Sequence, residues 1–170
     1  MKINAVLPCA GRGERSGLGF NKTLALLGEK PVALVSAEQF AALPEVTRIV
    51  VVCGKGEEED FRRALSPLAD KTVFVTGGET RTASVAAGIA ACEKDCEIIA
   101  VHDGARPYLS QALLRRTLDV CEKSGSALPV LPVTDCLREV HGEFSRAVDR
   151  SAYYAVQTPQ VFDARSLRRA

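Results

Sequence analysis

The chain has 170 residues, of which 46% are hydrophobic and 25% are charged. This length supports one domain with a hydrophobic core and is too short for two large ones. With 22 Lys and Arg against 21 Asp and Glu, the formal net charge is +1, which excludes a general attraction to nucleic acid or to anionic membranes.

Apolar, β-branched runs alternate along the chain with segments of helical periodicity. Strands are predicted over residues 3–7, 47–53, 72–75, 98–102 and 127–131, and helices over 31–42, 57–65, 81–92 and 110–123. The runs 50–52 and 98–101 are continuously apolar, which is typical of strands covered on both faces. The order predicts a Rossmann-like, three-layer α/β domain with a mostly parallel sheet.

The first predicted strand leads into a glycine-rich loop that carries its own cations. The loop reads Leu7-Pro8-Cys9-Ala10-Gly11-Arg12-Gly13-Glu14-Arg15 and is followed by Asn21-Lys22. Glycines let backbone N–H groups approach an anion, and Arg15 and Lys22 add two positive charges at the sheet edge where α/β proteins bind ligands. We therefore predict a polyphosphate site.

Two familiar phosphate loops do not match this segment. Ser16 stands where the dinucleotide fingerprint G-x-G-x-x-G needs its last glycine. A P-loop needs its Lys-Thr to open a helix, whereas Lys22-Thr23 leads into residues 24–28, which read as a short strand and turn. A surface loop with incidental basic residues is the alternative interpretation.

The segment Gly77-Gly78-Glu79-Thr80-Arg81-Thr82-Ala83-Ser84 joins another strand to the start of a helix. Its two glycines permit close approach of a ligand, and Ser84 falls in the first helical turn, where free N–H groups are available. A base or ribose site is one interpretation. Helix capping by Thr80 or Thr82 explains the same pattern nearly as well.

A second polar loop, His102-Asp103-Gly104-Ala105-Arg106, follows the strand predicted at 98–102. Asp103 suits Mg²⁺ beside a polyphosphate, either directly or by orienting a water, and the alternative is a turn residue capping Gly104. Arg106 is either a cation beside a substrate phosphate or a structural anchor. His102 is assigned to structure. A phosphoryl or nucleotidyl transfer with a phosphate nucleophile needs no general base, because that nucleophile is already ionised, and the chain offers no Ser or Cys pairing for His102.

Residues 133–150 interrupt the alternation of strands and helices. Residues 135–140 and 144–148 flank the turn His141-Gly142-Glu143, which predicts a β-hairpin. A two-stranded ribbon is marginal alone in water, so we predict an arm that projects and meets a partner subunit. A hairpin folded back on its own sheet is the alternative. A last helix is predicted to begin at Asp163.

Six cysteines include no C-x-x-C pair and no His at metal-ligand spacing, which favours buried, reduced thiols. The N-terminus runs straight into a strand without an apolar leader, and no apolar stretch is long enough to span a bilayer. We therefore expect a cytoplasmic protein that is neither exported nor embedded in a membrane.

Taken in order, the segments L-P-C-A-G-R-G-E-R, N-K, G-G-E-T-R-T-A-S-V, V-H-D-G-A-R-P, V-D-R and T-P-Q resemble the 2-C-methyl-D-erythritol 4-phosphate cytidylyltransferase family over the whole chain. The resemblance implies one Rossmann-like domain over residues 1–170, with 133–150 as an arm that interlocks a homodimer. It implies transfer of CMP from CTP to methylerythritol phosphate with Mg²⁺ and release of pyrophosphate.

The resemblance also assigns roles by position. Arg15 and Lys22 would stabilise charge on the α-phosphate, and Arg150 would reach from the arm into the partner's site to position methylerythritol phosphate. The implied nucleotide-binding residues are Pro8, Ala10, Gly11, Gly13, Gly78, Glu79, Ser84 and Asp103. The implied substrate-binding residues are Arg106, Cys136 and Arg150, with Asp103 also at the metal.

Two departures from the family pattern stand out. Cys136 occupies a position where the family usually has a threonine, and a thiol is a weaker hydrogen-bond partner. The family's final strand and helix, with a lysine that pairs with the arginine at position 150, would follow Ala170. The catalytic set is therefore expected to be incomplete in this chain.

Three other functions are weighed against this one. The related ribitol 5-phosphate cytidylyltransferases share the fold and chemistry, and the segment D-G-A-R-P favours methylerythritol phosphate over ribitol phosphate by resemblance. A truncated chain that binds CTP but turns it over poorly is the second alternative. An NAD-dependent oxidoreductase is a distant third.

Overall fold

The computed structural model describes residues 1–11, 17 and 19–170. Its strands are β1 Ile3–Pro8, β2 Leu26–Leu27, β3 Lys30–Pro31, β4 Val46–Cys53, β5 Thr72–Thr76, β6 Ile98–Val101, β7 Ser126–Ala127, β8 Val130–Pro132, β9 Leu137–His141, β10 Phe144–Val148, β11 Tyr154–Val156 and β12 Gln160–Asp163. Its α-helices are α1 Val32–Ala41, α2 Glu58–Ala64, α3 Arg81–Ala90, α4 Gln111–Ser124 and α5 Ala164–Leu167. Short 3₁₀ helices cover Lys22–Leu24, Ser66–Leu68 and Arg150–Ala152.

The main sheet has the strand order β5-β4-β1-β6-β12-β7. The four strands β5, β4, β1 and β6 pair in parallel, while β12 runs antiparallel to both β6 and β7. The prediction of a mostly parallel sheet is confirmed. Because the parallel strands end at the same edge, the loops after β1, β5 and β6 lie together there.

Apolar clusters cover both faces of this sheet. On β4, Ile49 and Val51 belong to one cluster with Phe40, while Val50 and Val52 belong to the other. Helices α1, α2 and α4 pack on the first face, and α3 and α5 on the second. The continuous apolar run at 50–52 therefore reflects burial on both sides, and the three-layer prediction is confirmed.

The strand predicted over 127–131 is wrong as a single element. β7 pairs with β12 in the main sheet, whereas β8 pairs with β11 in a separate two-stranded sheet. Pro129 lies between them, and a proline cannot donate a backbone N–H to a ladder, so one continuous strand is interrupted there. The strand β12 was not predicted, because four residues of mixed polarity give too weak a pattern.

The hairpin predicted within residues 133–150 is present. β9 and β10 pair antiparallel from Phe144 opposite His141 to Val148 opposite Leu137, around a turn with Gly142 at φ 60°. Within the described residues, these strands share no ladder with the main sheet. Val140 and Phe144 are 66% and 81% exposed. Whether the hairpin serves as a dimerisation arm stays a prediction.

Of the helices that the structure describes, none has the length and apolar character that a bilayer crossing requires.

Candidate functional site

A cavity of about 540 Å³ opens at the edge where the parallel strands end. It gathers the loops after β1, β5 and β6 together with the 3₁₀ helix that begins at Lys22. The predicted site residues that line it are Pro8, Ala10, Gly11, Lys22, Gly78, Glu79, Ser84, Asp103 and Arg106. Other described residues in the lining are Cys9, Thr23, Thr80, Arg81 and Ala105.

Four predicted site residues are not placed in this lining. Gly13 and Arg15 lie outside the described residues. Cys136 and Arg150 are exposed and do not line the cavity, and Arg150 donates a hydrogen bond to the carbonyl of Thr134 at the base of the hairpin. Within a single chain, the described structure therefore does not bring Arg150 to the loops that line the cavity.

Asp103 is held between two guanidinium groups. Arg81 donates to its Oδ1 from Nη2 at 2.9 Å and from Nε at 3.3 Å, and Arg106 donates to its Oδ2 from Nε at 3.1 Å. Arg81 is the first residue of α3, so this ion pair joins the start of that helix to the loop after β6. Sequence reasoning missed Arg81, although its place in the first helical turn at the ligand edge was a usable signal.

His102 is buried and bonded at both ring nitrogens. Its Nδ1 lies 2.9 Å from the Thr158 hydroxyl and its Nε2 lies 3.0 Å from the Arg106 carbonyl. A carbonyl only accepts, so Nε2 carries the proton and Nδ1 accepts from Thr158. Burial lowers the pKa of His102, so the imidazole is neutral at pH 7. These contacts support its assignment to structure.

Lys22 is exposed and lines the cavity, and its neighbour Asn21 is anchored by four side-chain hydrogen bonds. The Asn21 amide donates to the Cys9 carbonyl at 2.6 Å and to Glu57 Oε2 at 2.9 Å. Its oxygen accepts from the Thr23 backbone N–H at 3.1 Å and from the Thr23 hydroxyl at 2.8 Å. These bonds fix the backbone on both sides of Lys22, and Lys22 itself lines the cavity.

The loop before α3 is closely packed against the β1 loop. A Cβ on Gly77 would lie 2.7 Å from both the Ala10 Cβ and the Ser84 Oγ, so only glycine fits there. The buried Ser84 hydroxyl donates to the Gly78 carbonyl at 3.3 Å. Thr80 caps α3 by accepting from the Ala83 N–H, so the capping interpretation holds alongside the ligand interpretation.

Cys9 packs under the loop that carries Asp103. A Cβ on Gly104 would lie 2.3 Å from the Cys9 sulfur, so the chain needs glycine at that point. Burial raises the pKa of the Cys9 thiol, which keeps it protonated and unreactive. Five of the six free cysteines are buried and Cys136 is exposed, so the prediction of buried, reduced thiols is confirmed for those five.

The described carboxylates of the cavity are Glu79 and Asp103. In the described part of the chain, no three His, Cys, Asp or Glu side chains group as a metal site. Each oxygen of Asp103 already accepts from a guanidinium group, whose positive charge opposes a cation at the same atoms. The contacts favour a role for Asp103 in orienting water or a ligand hydroxyl over direct ligation of Mg²⁺.

Comparisons with known proteins agree on one family. The family model described as IspD, 2-C-methyl-D-erythritol 4-phosphate cytidylyltransferase, matches residues 3–170. The chain is 33% identical to the enzyme of that name from Alkaliphilus metalliredigens, covering 99% of this chain and 72% of the relative. It is 35% identical to the enzyme of that name from Bacillus pumilus, covering 100% of this chain and 75% of the relative.

A solved structure extends the similarity to three dimensions. The crystal structure of 2-C-methyl-D-erythritol 4-phosphate cytidylyltransferase from Thermus thermophilus superposes with a TM-score of 0.74 at 34% sequence identity. The match covers 99% of this chain and 74% of that one.

Proposed function

The chain belongs to the 2-C-methyl-D-erythritol 4-phosphate cytidylyltransferase family, and on that premise we propose that it transfers CMP from CTP to 2-C-methyl-D-erythritol 4-phosphate and releases pyrophosphate. This reaction belongs to isoprenoid biosynthesis. The observation that carries the proposal is the cavity that gathers the β1 loop, Lys22, Gly78, Ser84 and Asp103 at one sheet edge.

The transfer forms one bond and breaks one bond at the α-phosphorus of CTP. A phosphate oxygen of the acceptor attacks that phosphorus, and the bond to the bridging oxygen of pyrophosphate breaks as both electrons leave with pyrophosphate. The attacking oxygen is already ionised, so no general base is required. A neutral, buried His102 is consistent with this chemistry.

Lys22 is proposed to stabilise the negative charge that develops on the α-phosphate oxygens. Its place in the cavity and the bonds that fix Asn21 support this role. A fixed cation aimed at developing charge lowers the barrier without reorganising during the reaction. Arg15 is proposed to share this task on the strength of the family resemblance.

The cytidine is proposed to occupy the part of the cavity formed by Gly78, Glu79, Ser84 and Asp103, with Pro8, Ala10, Gly11 and Gly13 along the phosphates. The described residues of this set line one cavity. The acceptor phosphate is proposed to bind Arg106, whose guanidinium lies beside Asp103. Guanidinium groups bind phosphate oxygens through paired N–H donors, which suits this role.

The enzyme is proposed to act as a homodimer in which the hairpin brings Arg150 and Cys136 to the partner's cavity. Large apolar side chains on and beside the hairpin are exposed in the single chain. Contact with a partner subunit would remove them from water, which supports a dimer interface here. These side chains are Val130, Leu131, Val140, Phe144, Tyr153, Tyr154 and Val156.

Mg²⁺ is proposed to arrive with the phosphates of CTP, since Mg²⁺ usually keeps several waters and takes most other ligands from substrate phosphates. When bound it would neutralise phosphate charge. A cytoplasmic location is proposed because all six cysteines are unpaired.

Pyrophosphate release tests the proposal directly. The protein is incubated with CTP and Mg²⁺ in parallel with methylerythritol 4-phosphate and with ribitol 5-phosphate. Release with methylerythritol phosphate alone is expected, since the family model and the relatives carry that name and do not favour ribitol phosphate. Release with ribitol phosphate alone, or with neither acceptor, would contradict the proposal.

A further inference from the structure

A glutamine outside the predicted site holds one of the guanidinium groups of the cavity. The Nη1 of Arg106 donates to the side-chain oxygen of Gln157 at 2.5 Å. The Nε of Arg106 donates to Asp103 Oδ2 at 3.1 Å. A planar guanidinium fixed at two of its nitrogens has its orientation set, so two segments of the chain together determine where the remaining N–H groups point.

Gln157 is itself fixed through its backbone. Its N–H donates to the carbonyl of Pro129 at 2.9 Å, and it directly follows β11, which pairs with β8. The next residue, Thr158, is buried, bonds to His102 at 2.9 Å and accepts from the Asp103 N–H at 3.4 Å. Two neighbouring residues therefore hold the loop 102–106. Thr158 bonds to His102 and Asp103, and Gln157 bonds to the guanidinium of Arg106.

We infer that Gln157 is a positioning residue that holds Arg106 in the orientation in which it receives the phosphate of the acceptor. The inference rests on the proposed function, in which Arg106 binds that phosphate. A guanidinium has five N–H groups, and among the described contacts of its side chain Asp103 and Gln157 use two of them. Holding the group in advance reduces the ordering that binding would otherwise require.

Two substitutions distinguish the role of the acceptor oxygen of Gln157 from the role of the rest of its side chain. Gln157→Leu removes the oxygen at similar volume. Gln157→Glu keeps an oxygen for Arg106 and removes the amide that donates to the Ala155 carbonyl at 3.4 Å. We expect Q157L to raise KM for methylerythritol phosphate about tenfold with little change in kcat or in the affinity for CTP, and Q157E to restore KM.

Gln111→Leu is the matched control. Gln111 is also half-buried, and its amide donates to the Gln39 carbonyl at 2.6 Å. Neither of these two glutamines belongs to the described lining of the cavity. This variant also loses a glutamine hydrogen bond, so a general effect on folding would appear in it as well. We expect its KM for both substrates to equal that of the wild type.

A readout that does not depend on turnover keeps the inference separate from the proposed function. In protein labelled with ¹⁵N-arginine, the Arg106 guanidinium is assigned by its loss in Arg106→Lys. Hindered rotation should separate its two Nη signals in the wild type and in Q157E, whereas Q157L should average them.

The KM values and the Arg106 Nη signals are two independent results. If Q157L leaves KM and the Nη signals unchanged, or if Q157E resembles Q157L in both, the inference is overturned. If the wild type releases no pyrophosphate with either acceptor, the proposed function fails, and the Nη signals alone decide whether Gln157 positions Arg106.

Discussion

The two edges of the parallel sheet carry similar charged groups but use them differently. At the amino edge, Glu93 is enclosed by Lys2, Asn4 and Thr47. At the carboxyl edge, the Asp103 carboxylate is bonded to guanidinium groups that themselves line an open cavity. The partners of Glu93 lie at the starts of β1 and β4, so we expect it to stabilise the fold, whereas the guanidinium partners of Asp103 line a cavity, so we expect it to act on a ligand there.

Both carboxylate oxygens of Glu93, at the amino edge, have close partners. Its Oε2 accepts from the Thr47 hydroxyl at 2.6 Å and from the Asn4 amide at 2.9 Å, and its Oε1 lies 3.1 Å from the Lys2 ammonium. These contacts, led by the Thr47 hydroxyl, lower the pKa of Glu93 to about 2. Glu93 thus ties the end of α3 to the starts of β1 and β4.

The largest expected effect is at the carboxyl edge. Lys22→Ala should lower kcat about 10²- to 10³-fold with a smaller change in KM for CTP, because the lost cation acts on charge that develops in the transition state. Steady-state pyrophosphate release measures both constants. Lys55→Ala, which removes an exposed lysine after β4 outside the cavity lining, is the control. An equal fall in both variants would contradict the role of Lys22.

Asp103→Asn is the next largest change at the same edge. It keeps the shape of the side chain but removes the charge between Arg81 and Arg106, so kcat/KM should fall about 10- to 100-fold. Because these ion pairs are partly exposed, the free energy of unfolding should change by less than about 1 kcal/mol. Denaturant unfolding provides that value. A loss of stability without a loss of activity would reverse the assignment of this edge.

Glu93→Gln is the matching change at the amino edge, and the opposite result is expected. The variant should lose about 1–3 kcal/mol of unfolding free energy because charged hydrogen bonds become neutral, and it should keep its kcat/KM. Folding lowers the pKa of Glu93. The contribution of Glu93 to the free energy of unfolding is therefore complete at pH values above the ordinary carboxyl pKa and is lost as the pH falls towards 2. Unfolding free energies measured from pH 7 downwards should therefore converge for the wild type and E93Q.

Ser84→Ala tests the smallest effect. The variant loses the bond from the Ser84 hydroxyl to the Gly78 carbonyl, so the Kd for CTP should rise about threefold through a looser loop. Calorimetric titration with CTP measures the change in affinity. Thr82→Ala removes an exposed hydroxyl from the same helical turn and should bind CTP like the wild type. Equal weakening in the two variants would mean that Ser84 has no specific part in the site.

Much of this arrangement follows from local pattern in the sequence. Apolar runs such as 50–52 predict the parallel strands. In a parallel sheet, the loops that follow the strands lie at one edge. This order predicts that the loop with Lys22 and the loop with Asp103 meet at that edge, and the family resemblance adds Gly78 to the same site. The pattern of apolar segments predicts these strands because it shows which faces of each strand and helix are buried.

The contacts that organise the site are not local, and the sequence did not predict them. Arg81 and Asp103 are 22 positions apart, and Arg106 and Gln157 are 51 apart, so no periodicity links either pair. β12 was missed for the related reason that its pairing with β6, and not its own composition, makes it a strand. The split at Pro129 likewise depends on two different partner strands.

Transfer of CMP to a phosphate acceptor is tested most directly by ³¹P NMR of the protein with CTP, Mg²⁺ and methylerythritol 4-phosphate. If the protein catalyses this transfer, the CTP signals are replaced by free pyrophosphate and by two coupled phosphorus signals, which report the new bond between the CMP phosphorus and the acceptor phosphate. Unchanged CTP, or CMP and pyrophosphate formed by hydrolysis without a coupled pair, would contradict the claim that this cavity transfers CMP to a phosphate acceptor.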